Sequence, residues 1–253
     1  MMTRREVLLG GAGLLASMIL GRGRSARGAT FPQFFIAQIR TRGGEWDPNP
    51  SFVEPIIEEL ELRTSIVAAA ERRVITASDP DLFFCPFLYL AGTASFDPWS
   101  ATEREALRRY LTFGGFLLVE DTMGARGSGF DGAFRRELKQ IFPSRDLTRL
   151  PLDHSVFQSF YLTTAMGGRQ KVSPFLEGLI IDNWTPVIYC QNDLAGAWAR
   201  APSGEWLHEC SPGGEAQRAA AFKLGINIIV YSLTGDYKKD LVHHPFIKKR
   251  QGS

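Results

Sequence analysis

The chain has 253 residues, 44% of them hydrophobic and 22% charged, with 29 Lys and Arg against 27 Asp and Glu for a formal net charge of +2. That balance suits one domain with a full apolar core and excludes a disordered or low-complexity chain. The positive excess is local. Residues 1–29 hold five arginines and one glutamate, so the remainder carries a net charge of −2, which argues against a nucleic-acid surface as its main business, since phosphate binding needs a concentrated basic patch.

Arg4-Arg5 stand directly ahead of the apolar run Val7 to Leu20, which is broken by Gly10, Gly11 and Gly13. Crossing a bilayer takes roughly 20 apolar residues, so the run is too short to span comfortably. A basic start, an apolar middle and the small-residue stretch Ser25–Ala29 are the parts of an export signal, and the paired arginines point to the twin-arginine route. The expected division is residues 1–29 as signal, 30–236 as one α/β domain and 237–253 as a basic tail. The expected location is the periplasm, with the twin-arginine machinery as a partner, or the membrane surface where the signal stays uncleaved. Three cysteines, Cys85, Cys190 and Cys210, remain beyond the signal, and an odd number cannot all pair within one chain. A Cys190–Cys210 disulfide stays open on spacing alone.

The run Phe34–Ile39 before Arg42-Gly43-Gly44 predicts a buried strand ending in a glycine turn. Val53, Ile56, Ile57 and Leu60 recur at helical spacing, with Ser51 as the expected cap and Pro55 in the first turn. Leu82–Leu90 predicts a second strand, with Pro86 at its beginning. Ser100 and Glu103 form a capping box ahead of a helix through Tyr110 or Phe113. A third strand covers Phe116–Val119. Asp131 is expected to cap the next helix, which Pro143 stops. Strands follow at 179–181 and 186–190, and a well-buried helix at 216–233. This strand–helix alternation predicts an α/β fold with a mainly parallel, covered sheet.

In such a sheet ligands gather at the carboxyl ends of the strands. The polar residues expected there are Glu45, Trp46, Asp47, Gly92, Thr93, Asp121 and Asp193, an acidic crevice with Trp46 and Trp198 as stacking faces for a carbohydrate or a protein partner. Asp153 and His154 add a carboxylate–imidazole neighbour pair suited to ligation or proton transfer. If the chain is an enzyme, Asp121 and His154 are the catalytic candidates. A divalent ion held by Asp121, Asp153, His154 and Asp193 would make a hydrolase. No P-loop or dinucleotide fingerprint occurs outside the signal, and no cofactor is implied.

Phe35–Ile39, Gly43-Gly44-Glu45-Trp46-Asp47, Pro86–Gly92, Arg108–Phe116, Asp153–Phe157 and Leu224–Tyr231, in this order, resemble the bacterial domain-of-unknown-function 4159 family. The resemblance implies a flavodoxin-like three-layer α/β/α sandwich with a mainly parallel central sheet, similar to class I glutamine amidotransferases and the trehalose-utilisation (ThuA-like) fold. Those amidotransferases place a cysteine at the turn where this chain has Thr93-Ala94, so the resemblance transfers no catalytic residue. It implies instead a non-catalytic binding or assembly module of the cell envelope, the metal-dependent hydrolase being the alternative.

Overall fold

A computed structural model describes the backbone from Gln33 to Gln251 and the side chains as far as Gly235. The export signal expected over 1–29 lies outside the described residues. Seven strands, β1 (Ala37–Ile39), β2 (Arg73–Ile75), β3 (Leu88–Gly92), β4 (Leu117–Asp121), β5 (Thr148–Arg149), β6 (Glu177–Ile181) and β7 (Trp184–Cys190), form one sheet in the order β2-β1-β3-β4-β7-β6-β5. The first five in that order are mutually parallel, whereas β6 runs antiparallel to both β7 and β5. The helices are α1 (Val53–Arg63), α2 (Ala101–Thr112), α3 (Gly129–Ile141), α4 (Leu194–Trp198) and α5 (Gly214–Gln251). The molecule is therefore a mixed α/β protein with a mostly parallel sheet, as the alternation of apolar runs predicts.

The strands read as unbroken apolar runs because both faces of the sheet are covered. Successive residues of a strand point to opposite faces. In β3, Tyr89 and Ala91 join one apolar cluster with Ile56 and Leu60 of α1, Trp198 of α4 and Leu224 and Ile228 of α5. Leu88 and Leu90 join the other, with Leu107 and Leu111 of α2 and Phe134 and Leu138 of α3.

Several boundaries follow from local chemistry. The capping box forms at α2: the Ser100 hydroxyl accepts from the Glu103 amide at 3.2 Å, and the Glu103 carboxylate accepts from the Ser100 amide at 2.7 Å. At α1 the cap is Phe52, with no side-chain hydrogen bond, so Ser51 does not cap as expected. Asp131 also differs from expectation. It lies inside the first turn of α3, fully buried, while Ser128 occupies the cap position without a side-chain bond to the helix. Pro186 sits within a strand that has neighbours on both sides, which a missing N–H normally forbids. The register between β6 and β7 shifts here: Leu179 pairs with Val187 and Ile181 with Trp184. Thr185 and Pro186 thus face Ile180 alone, a bulge that spares the ladder a bond Pro186 cannot make. β2 was not visible in the sequence because it is a three-residue edge strand with Arg73 and Val74 exposed. Finally, α5 continues from the expected 216–233 to Gln251, so the backbone of the basic tail is helical as far as that residue.

Candidate functional site

The carboxyl ends of the parallel strands carry three adjoining groups of polar side chains. The first lies where the chain leaves β1. Gly43 and Gly44 adopt φ of 64° and 65°, left-handed values that favour glycine, and turn the chain back over the sheet edge. The returning loop is pinned at both ends. Arg42 grips Glu103 with two 3.1 Å bonds, and Asp97 N–H donates to the Arg42 carbonyl at 2.7 Å. Thr93 Oγ1 donates to the Glu45 carboxylate at 2.8 Å, and its amide to the Glu45 carbonyl at 3.3 Å. Gly92 lets this loop approach: a Cβ there would overlap the Phe130 ring and stand 3.1 Å from the Glu45 carbonyl oxygen.

Arg72, which the sequence reading passed over, organises this group. Its guanidinium holds both Asp47 oxygens at 2.5 Å, donates to Gln38 Oε1 and lies over the half-buried Trp46 ring, 5.9 Å from its centroid. The buried Gln38 in turn donates to the Trp46 carbonyl at 2.8 Å. Beside Arg72 a cavity of about 360 Å³ opens toward the first turn of α1, lined also by Pro50, Ser51, Glu54 and Glu71. The signal for Arg72 was weak because it lies in a connection whose strand was not recognised.

The second group is internal. Glu120, on β4 and fully buried, accepts from Tyr89 Oη at 2.8 Å and from the Leu194 and Ala195 amides at 2.5 and 3.1 Å, closing the start of α4. Burial and the neighbouring Asp193 charge push its pKa up to about 8. Asp193 adopts φ 54° and caps α4 through the Gly196 amide at 3.0 Å. It also accepts from Asn49 Nδ2 at 2.7 Å and forms an ion pair with Arg169, whose guanidinium reaches the Thr122 carbonyl at 3.1 Å.

The third group closes the edge between β4 and α3. Asp131 accepts from Tyr189 Oη and the Gly127 amide, each at 2.6 Å, and from Arg135 Nε at 2.8 Å. Arg135 continues to Glu177 at 2.5 Å. The Asp131 carboxyl is held below its ordinary value by these hydrogen bonds and the Arg135 charge, which outweigh its desolvation. Asp121 accepts from the Met123 amide at 3.1 Å through Oδ1, while Oδ2 is buried with no hydrogen-bond partner among the described residues. Burial raises its pKa, against the opposing pull of the Met123, Gly124 and Ala125 amides.

The structure thus gathers Glu45, Trp46, Asp47, Gly92, Thr93, Asp121 and Asp193 along one edge. It does not bring Asp153 and His154 there. His154 Nε2 meets Thr185 Oγ1 at 3.0 Å beside the beginning of β7, Nδ1 accepts from the Val156 amide, and the ring packs on Tyr231. Thr185 to Cys190, at about 3.3 Å per residue, puts roughly 16 Å of strand between that imidazole and the edge carrying Asp193. The four residues of the hydrolase set are therefore divided between two ends of the sheet, and no three His, Cys, Asp or Glu side chains among the described residues are grouped to hold a metal ion. Trp198 is a second correction. It is buried in the core against Phe52 and offers no stacking face. The three cysteines are free and buried, and burial raises every thiol, Cys85 to about 11, so none is a ready thiolate.

A larger cavity of about 480 Å³ lies between α1 and α5, away from this edge. Trp206, with Arg200 and Arg218 on its ring at 4.6 and 4.4 Å, and Phe222 form one wall. Nothing in the sequence pattern singled these residues out, since they come from a loop and a helix with no motif.

The sequence profile of the family described as Domain of unknown function (DUF4159) matches residues 35–233. No curated protein gives a significant match.

Proposed function

We propose, for a chain that belongs to the DUF4159 family, a non-catalytic binding module that holds a carbohydrate at the carboxyl edge of its sheet. One observation carries the reading. Three buried carboxylates of the edge are already occupied by structural donors, three on Glu120, three on Asp193 and four on Asp131, while Asp121 accepts through Oδ1 alone. Saturated carboxylates are poor general bases but good rigid supports. What the edge leaves at least partly to solvent includes the half-buried Trp46, Glu45 and the Arg72 cavity, an aromatic ring beside planar hydrogen-bonding groups. The flavodoxin-like three-layer sandwich belongs to the same proposal, supported by the parallel order β2-β1-β3-β4-β7 and by apolar clusters on both sheet faces. In that arrangement the reversal of strand order falls between β1 and β3, beside Trp46 and Thr93.

The experiment is calorimetric titration of the protein with a panel of neutral and acidic oligosaccharides. Trp46→Ala is expected to weaken binding roughly tenfold or more, the loss that a stacking contact of about 1.4 kcal/mol represents. Trp206→Ala, in the cavity between α1 and α5, is expected to leave it unchanged. Binding that survives Trp46→Ala, or no sugar bound by the wild type, overturns the reading and leaves a protein partner as the occupant.

Export through the twin-arginine route to the periplasm is the proposed setting. It is supported by Arg4-Arg5 ahead of the apolar run 7–20. Arg4→Lys with Arg5→Lys is expected to keep the chain in the cytoplasmic fraction on cell fractionation; unchanged export sinks this part of the proposal.

A further inference from the structure

The cavity of about 480 Å³ between α1 and α5 lies apart from the carboxyl edge and is large enough for a small organic molecule. Its walls are braced from behind. Arg218, near the start of α5, has a side chain only 4% exposed, and its guanidinium donates to the Ala197 carbonyl at 2.5 Å and the His208 carbonyl at 2.8 Å, tying both ends of the connection that carries Trp206. Within that connection Arg200 and Trp206 form an antiparallel bridge, and the Leu207 amide donates to the Ala199 carbonyl at 2.9 Å. On another wall the buried Asn227 accepts from the Tyr161 amide at 2.7 Å and donates to the Tyr161 carbonyl at 2.9 Å. Segments outside the helices and the sheet thus present their side chains from a fixed backbone, which is what a binding site requires.

The side chains lining the cavity are unequal in charge. Four cations, Arg63, Arg200, Arg218 and Lys223, stand against two carboxylates, Glu59 and Glu215. Arg63 pairs with Glu59 at 3.2 Å, Arg218 with Glu215 at 3.0 Å, and Arg200 with Glu58, outside the lining, at 2.9 Å. Each of these pairs sums to zero, and Lys223 remains as one uncompensated positive charge. Its ammonium lies 5.8 Å from the centroid of the Tyr161 ring and makes no ion pair among the described residues. Arg63 and Arg200 each use a single nitrogen on their glutamates, so further donors of both guanidiniums remain. Beside these cations the lining is apolar, with Phe222 packed on Trp206 at a centroid distance of 5.8 Å and Ile226 one turn further along α5.

We propose that this cavity is a binding site for a small organic monoanion, a carboxylate carried on an apolar or aromatic body. One uncompensated positive charge matches one carboxylate, whereas a phosphate monoester brings about −1.5 to −2 at neutral pH. Lys223 supplies the charge, Arg200 the planar donors that a carboxylate accepts from, and Phe222 the surface on which the apolar body rests. The site goes beyond the carbohydrate reading and stands independently of it, because its lining shares no residue with the cavity beside Arg72.

The test is calorimetric titration of the full chain with 3-phenylpropionate, indole-3-acetate and octanoate, with 3-phenylpropionamide, acetate and inorganic phosphate as comparisons. At least one of the three carboxylates is expected to bind saturably at a single site. The neutral amide, which lacks the charge, and acetate, which lacks the body, are each expected to bind at least about tenfold more weakly than that carboxylate. Lys223→Gln, at an exposed position of α5, is expected to weaken carboxylate binding about tenfold while leaving the unliganded melting temperature unchanged. Lys171→Gln, exposed elsewhere, and Trp46→Ala are expected to leave the affinity as it is, which separates this site from the sugar edge. No saturable binding of any of the three carboxylates, equal affinity for acid and amide, or undiminished affinity in Lys223→Gln overturns the proposal. Phosphate bound more tightly than every carboxylate overturns it as well, assigning the cavity to an inorganic or phosphorylated ligand.

Discussion

Glu120 is the residue whose chemistry has the widest consequence. Its carboxyl group titrates at about 8 in the fold against an ordinary value of 4.5, so folding takes up a proton between those values. The associated stability is fully present below about pH 4.5 and is lost as pH rises through about 8. The expected outcome is a melting temperature that falls over this window in the wild type and falls less in Glu120→Gln; coincident slopes by thermal scanning at a series of pH values would show that the group stays ionised. Asp131 works in the opposite sense, its folded pKa being lowered, so its contribution is present above the ordinary carboxylate range and lost in acid. Asp131→Ala leaves the Tyr189 hydroxyl and the Gly127 amide without their acceptor and Arg135 with Glu177 alone, and is expected to cost about 3 kcal/mol in urea unfolding. A loss under about 1 kcal/mol would mean that the neighbours find other partners. Neither role was legible in the sequence, where Glu120 had no motif and Asp131 looked like a helix cap. Buried partners come from Tyr89 and Tyr189 on other strands, and such distant meetings leave no local pattern.

At the scale of elements, the sequence told most where the chemistry is local. The Ser100–Glu103 capping box is an interaction within one turn, and it forms as read. Ser100→Ala is expected to destabilise the protein by about 1 kcal/mol, measured by denaturant midpoint, with a shift near zero showing that the Arg42–Glu103 contact alone secures the start of α2. Apolar runs located β1, β3, β4, β6 and β7 because burial on both faces suppresses alternation, but the first part of the run Leu82–Leu90 is a 3-10 helix over Pro80–Phe84, and Pro86 precedes β3 instead of opening it. The same reasoning failed at β2 and β5, short edge strands whose exposed residues give no run. α1 begins without the expected Ser51 bond because its entry is set by the packing of Phe52 on Tyr89, with ring centroids 4.6 Å apart. At Gly92 an added Cβ would meet the Phe130 ring and the Glu45 backbone. Gly92→Ala is expected to cost about 1–3 kcal/mol through overpacking, and a neutral result in the same unfolding assay would show that α3 can retreat from the strand end.

For the whole molecule, the parallel order of β2, β1, β3, β4 and β7 puts the centre of cooperativity at β3 and β4, flanked by an apolar cluster on each face. Native-state hydrogen exchange is expected to protect Leu90 and Val119 most and the edge strands β2 and β5 least; uniform protection would contradict a sheet that frays from its margins. The candidate site was partly legible at this scale because strand ends fall on one edge, which gathered seven of the expected residues there. His154 fell elsewhere because a sequence cannot say at which end of a strand a flanking turn will pack. The burial of all three cysteines has a consequence of another kind. Each thiol is buried in its protonated form and none is in a disulfide, so a thiol oxidant or reductant finds no cysteine at the surface to act on. A chain made this way keeps its cysteines unpaired on either side of a membrane, and its thiols carry no memory of the redox conditions in which the fold formed.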